Sequence, residues 1–316
     1  MTAQRPRRAC AHRRDWAVGL AALGLLLVLL WSLAGSTAIA GPVQATDFTG
    51  HTVRLDQPAQ RIVALTPHLV ENLFTAGLGD RVVGAVRDSN YPAAATRIPR
   101  IGGYNSLSLE AIVAKKPDLV VAWAEGGSPD IIRRLRALGI AVYVDDPHRL
   151  SGIARTIRDL GTLGGTADRA DRAASTFEHR IATLRQRYAR RRPVSLFWEV
   201  WSDPLRTLSN AGMTGAVIRL CGGDNVFARA ATLAPQVSIE SVIARDPQAI
   251  VASGVAETRP RWTIYWQQWP AISAVAHDHF VTVPADLISR PTVRLAKGAA
   301  DLCRGLDRVR AAGSKQ

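Results

Sequence analysis

The chain has 316 residues, 47% of them apolar, and a formal net charge of +14 at pH 7. Its length suits one large or two modest domains. The basic excess permits a nucleic-acid partner in principle, but the N-terminus directs the chain away from nucleic acid.

Arg5, Arg7, Arg8, Arg13 and Arg14 make a basic start, and an apolar run extends from Trp16 to about Ala34. Ala38-Ile39-Ala40 then offers a small-x-small cleavage site before Gly41. We read residues 1–40 as a secretory signal peptide and the mature chain as periplasmic. The run, roughly 18 residues, is also long enough to stay as an anchor if uncleaved. No cysteine follows it, which argues against a lipoprotein, and Arg13-Arg14 is a weak twin-arginine match. Removing the leader takes away five arginines and one aspartate and leaves a net charge of +10. Cys10 goes with it. Cys221 and Cys303 remain, and in an oxidising compartment they are expected to form one disulfide. Without a CxxC spacing they are no zinc site, so no metal site is expected.

Residues 41–60 read as an edge segment or short hairpin. Arg61–Leu65 is a strand, and Thr66-Pro67 turns it into an apolar-periodic helix ending at Gly77 or Gly79. Arg81–Val86 is the next strand, and the segments around Asn90-Tyr91-Pro92 and Ile101–Asn105 are loops. Ser108–Ala122 follows, and Ser238–Ala252 repeats it with Ser, Glu, Ala, Pro, Val and Ala at equal offsets. Each copy reads as an N-cap serine, a glutamate in the first helical turn, a proline stop and a buried strand. Between the copies come a helix from about Pro129 to Leu138 and a strand at Ala141–Val144. An Arg- and Ala-rich helical stretch then covers 149–192, with Ala167–Arg190 as one long helix. Val194–Val200 is a strand, Gly212–Leu220 a helix, His279–Val283 the last strand and Thr292–Val309 the last helix. Trp262, Trp266 and Trp269 at helical spacing suit a core, as does Trp198 on its strand, and His277 and His279 suit the surface. Strands alternating with helices argue for parallel sheets.

Two similar lobes facing each other make a cleft, a common ligand site. There is no GxxxxGK[ST] or GxGxxG phosphate loop and no GxSxG elbow. Asp145 and Asp146 are adjacent on a strand, so they point to opposite faces and do not share a proton. The chain is therefore read as a binding protein, not an enzyme.

The run from Arg61 to Trp123, the second repeat, Cys221-Gly222-Gly223 and Leu302-Cys303 resemble the periplasmic vitamin B12-binding proteins. These belong to the solute-binding proteins of ABC importers with a helical backbone between lobes. The resemblance implies an α/β fold of two Rossmann-like lobes with parallel sheets, joined by a long backbone helix, with the ligand between them. The division expected is a 41–148 lobe, a 149–192 helical linker and a 193–316 lobe. The ligand implied is cobalamin or a related corrinoid, with a ferric siderophore or haem as the alternative within the class. An exported or membrane-anchored enzyme or interaction module is the alternative from another class. The partner implied is an ABC permease dimer in the inner membrane, met by a receptor that is monomeric when free and needs no cofactor of its own.

Carried onto this sequence, the family's docking glutamates fall on Glu110 and Glu240. Tyr91 and Trp123 fall on aromatic ligand positions, and Tyr104 stands where the family places a Trp. Asp286 and Arg290 fall on a polar ligand pair. Ala234 departs from a family Trp, and Trp201 is a candidate to restore that aromatic area. His68 follows the first strand and faces the expected cleft, where it serves the loop, the ligand edge or a metal in the ligand.

Overall fold

The computed structural model describes residues 41–103, 106–126, 129–254 and 261–313, together with Thr2. The leader, Cys10 and Tyr104 lie outside the described residues. Residues 41–316 form one compact unit.

β1 (Val43–Thr46) and β2 (Thr52–Leu55) form an antiparallel hairpin. The first lobe continues with β3 (Ile62–Ala64), α1 (Pro67–Ala76), β4 (Val82–Ala85), the short strands β5 (Gly102–Gly103) and β6 (Ser106–Leu107), then α2 (Leu109–Val113), β7 (Leu119–Trp123), α3 (Pro129–Ala137) and β8 (Ala141–Asp145). α1 ends at Gly77, whose φ of 89° is open to glycine without strain. The sheet order is β4-β3-β7-β8, with all pairs parallel.

Two helices then lead across: α4 (Leu150–Gly164) and α5 (Ala167–Tyr188). α5 has 22 residues and is about 33 Å long at 1.5 Å per residue. It buries Ala170, Ala174, Phe177, Ile181 and Tyr188, an i, i+4, i+7 stripe that faces helices of both lobes.

The second lobe holds β9 (Val194–Glu199), the hairpin β10 (Trp201–Ser202) and β11 (Leu205–Arg206), α6 (Met213–Leu220), β12 (Gly223–Asn225), α7 (Ile239–Ile243), β13 (Ala249–Ala252), α8 (Trp262–Trp266), α9 (Ser273–Ala276), β14 (Phe280–Thr282), α10 (Ala285–Ile288) and α11 (Leu295–Ala312). Its sheet order is β12-β9-β13-β14, again parallel. The two sheets share one topology, second-first-third-fourth in chain order. The repeat seen in the sequence is thus a repeat of architecture, and the α/β two-lobe class expected from it is present.

Two details differ from the sequence reading, and a third bears it out. The last helix starts at Leu295, not Thr292, and α10 precedes it, because Pro291 cannot continue a helix and bars its predecessor from one. Cys221-Gly222 leads straight into β12, since Gly222 turns the chain with a left-handed φ of 66°. The repeat helices end before their prolines: Lys116 and Asp246, each preceding a proline, take left-handed φ values of 48° and 39°.

The apolar core is continuous between lobes. One cluster joins Ile62, Leu69 and Leu73 of the first lobe through Ile157, Phe177 and Ile181 to Leu196, Val281 and Leu302 of the second. The outer face of each sheet has its own smaller cluster. Trp198, Trp262 and Trp266 are buried, as their spacing suggested. Cys221 at the end of α6 and Cys303 within α11 form the expected disulfide.

Candidate functional site: an interlobe cleft

In each sheet the first strand lies between the second and third, so connections diverge at its C-terminal end. This is where open α/β sheets leave a crevice for ligands. Loops after β7 and β8 face loops after β9 and β13 together with α10, around a cleft of about 410 Å³. That falls within the roughly 300–1,000 Å³ usual for small-molecule sites. Trp123, Asp146 and His148 line one side; Trp201, Ser253 and Ser289 line the other. Leu208, Met213, Leu233 and Ile288 make much of the wall apolar.

The expected ligand residues fall into two groups. Trp123 and Trp201 line the cleft, and Trp201 is 54% exposed with its indole N–H donated to the Asp203 carbonyl at 2.7 Å. Behind Trp123, edge-on at 5.4 Å, sits buried His68, whose Nε2 is 3.3 Å from Asp145 Oδ2. His68 thus supports the aromatic wall and is not part of it. Asp145 points inward and Asp146 into the cleft, as opposite faces of a strand require.

Tyr91, Asp286 and Arg290 belong to a bridge between lobes. Arg290 reaches Asp286 at 2.9 Å, Asn90 Oδ1 at 3.0 Å and Glu71 Oε1 at 2.7 Å. Arg294 reaches the other oxygen of Glu71 at 3.2 Å and lies 3.9 Å over the Tyr91 ring. Asn72 donates to the Pro291 carbonyl at 3.0 Å. Sequence reasoning missed Glu71 and Arg294. The available signal was a carboxylate within the apolar run of α1, where Glu71 is 2% exposed and must be paired.

His148 has Asp146 at 3.1 Å on one ring nitrogen and Glu125 at 3.8 Å on the other. Among the described residues this is the one set of three side chains whose donor atoms, within 4.8 Å of one another, could hold a metal ion. Its members come from two loops, so no sequence spacing announces it.

Glu110 and Glu240 occupy matching, exposed places in the first turns of α2 and α7. Ser108 and Ser238 cap these helices, accepting from the backbone N–H of Ala111 and Ser241. Both glutamates lie below the usual carboxylate range, held there first by their own backbone N–H and then by the capping serine hydroxyl. They are fixed, solvent-facing anions.

The periplasmic binding protein model matches residues 62–287, which include both sheets and most of the cleft wall. The chain belongs to the periplasmic binding protein family. The vitamin B12-binding protein of Vibrio cholerae serotype O1 is 35% identical to this periplasmic binding protein over 247 residues, 78% of this chain and 88% of that one. The crystal structure of periplasmic vitamin B12 binding protein BtuF of Vibrio cholerae has 34% identity and a TM-score of 0.75, covering 80% of this chain and 98% of that one. Periplasmic heme-binding protein RhuT from Roseiflexus sp. RS-1 has a TM-score of 0.70 at 24% identity, covering 79% and 99%, a likeness of fold. Among the described residues no helix is long and apolar enough to cross a membrane.

Proposed function

We propose that this periplasmic binding protein takes a cobalamin into the interlobe cleft and delivers it to an ABC permease in the inner membrane. The observation that carries the reading is the cleft itself: a wide crevice at the strand ends of two equivalent sheets, with Trp123 and Trp201 among its walls. Aromatic faces cover a flat macrocycle, and fixed polar groups meet its amide rim. The similarity to vitamin B12-binding proteins selects the corrinoid within that class of shape. Asp286, Arg290 and Tyr91 act at the rim, where the lobes are bridged. Glu110 and Glu240 dock on the two halves of the permease, each contact raising the effective concentration of the other. The receptor is a monomer, performs no chemistry on its ligand and works in the periplasm after loss of residues 1–40.

The test is a calorimetric titration of the chain from Gly41 onward with cyanocobalamin, dicyanocobinamide, haem and a ferric siderophore. The expected result is saturable one-to-one binding of corrinoids. Binding of haem or siderophore alone would move the protein to iron uptake and make Ala234, the lost aromatic position, the reason.

A further inference from the structure

Beside the cleft lies a second, open recess of about 390 Å³, and His148 forms part of the wall of both. Arg149, Arg185 and Arg219 converge on this recess from α4, α5 and α6, and no carboxylate is among its lining residues. Asp146 and Glu125 face His148 from the cleft side.

These arginines differ from others on the connecting helices. Arg158 is tied to Asp171 and Glu178, and Arg155 to Asp159. Among the described residues the Arg149 and Arg185 side chains have no hydrogen bond or ion pair, and the Arg219 side chain donates to the Asn210 carbonyl at 3.3 Å. Helix polarity explains part of this placement. Arg185 and Arg219 lie in last turns, where a cation is favoured. Arg149 is the N-cap of α4, the end at which a cation is disfavoured, and no acid lies in that first turn. Three exposed like charges line one recess, one of them at the N-terminal end of its helix, and their combined potential favours a bound anion.

We infer that the recess is a subsite for a phosphodiester carried by the ligand. Guanidinium groups bind phosphate oxygens with charge-assisted, often bidentate hydrogen bonds. The inference rests on the corrinoid reading and refines it. Corrinoids divide chemically into complete cobalamins, whose nucleotide loop holds one phosphodiester, and cobinamides, which have none. With the macrocycle in the cleft, the loop passes His148 and its phosphate meets the arginines. The receptor then selects complete cobalamins.

The experiment compares cyanocobalamin with dicyanocobinamide on the chain from Gly41 onward and on its R149Q/R185Q variant. Cyanocobalamin affinity should fall about ten-fold or more in the variant, with dicyanocobinamide within about two-fold of wild type. In the wild type, raising salt from about 0.05 to 0.5 M should weaken cyanocobalamin binding alone. This arm needs no variant and so is immune to misfolding. Equal affinity for the two corrinoids with no salt effect, or an equal loss of both in the variant, overturns the subsite and leaves the corrinoid reading standing. Failure of both corrinoids to bind overturns the reading and the subsite together.

Discussion

Glu71 joins the lobes through a single carboxylate, with one arginine on each oxygen. Glu71→Gln keeps the shape and removes the charge, leaving two guanidiniums without their counter-ion. Losing one partner of a buried pair costs about 3–5 kcal/mol. Arg290 and Arg294 keep partial exposure, so solvent screening lowers the expected loss to roughly 2 kcal/mol, read by urea denaturation. Trp123→Ala in the cleft, or Asp286→Ala at its proposed rim, should weaken corrinoid binding by roughly 1–3 kcal/mol, the scale of a lost aromatic contact or hydrogen bond. Unchanged titrations for both would remove them from the site. At the proposed docking positions, charge reversal of Glu110 and Glu240 together should abolish transport into permease-bearing vesicles and leave ligand affinity intact. Because both carboxyls titrate below the ordinary value of about 4.3, they stay ionised as pH falls, so docking should hold from pH 7.5 down to about 5. A loss of transport within that window would assign docking to another group. Trp123 and Trp201 could be read from sequence because one ends β7 and the other lies just past the end of β9. The bridge could not, because its two ends lie 219 positions apart and only folding brings them together.

The repeat helices show how equal sequence can hide unequal contacts. Lys116 and Asp246 share a left-handed φ, which costs a non-glycine residue about 1–2 kcal/mol. Lys116→Gly should relieve that strain and raise stability by up to about 1 kcal/mol, offset in part by glycine's greater freedom when unfolded. Asp246→Gly should instead destabilise, because the Asp246 carboxylate accepts from the Ser273 backbone N–H at 2.6 Å and its hydroxyl at 2.7 Å. Thermal melts of the two variants should move in opposite directions. The caps, strands and long helix were legible, since periodicity and N-cap chemistry are local. The short pieces β12, α9 and α10 were not, because tertiary packing and glycine turns define them more than propensity does.

At the scale of the molecule, one core cluster runs through both lobes and the helices between them. The disulfide closes the second lobe over 82 positions. Chain entropy assigns such a loop about 4–5 kcal/mol, and native bonds of this kind commonly supply about 2–5. Cys221→Ser with Cys303→Ser should therefore lower the melting temperature markedly, and one cooperative transition should persist because the lobes share their core. Two separate transitions would mean that the lobes are independent. The two-lobe plan was visible in the repeat, whereas the shared core was not: it depends on which faces of α4 and α5 meet which sheet.

The Glu71 bridge also bears on how cargo leaves. A receptor whose halves are already bolted together holds its cleft in shape before anything arrives, so capture needs little reorganisation. The same bolts oppose spontaneous opening, and thermal motion alone offers the cargo a poor exit. Release then becomes mechanical. Under the proposed docking, a permease holding Glu110 and Glu240 has two handles on either side of a fastened joint, and the work of prying them apart falls to the transporter.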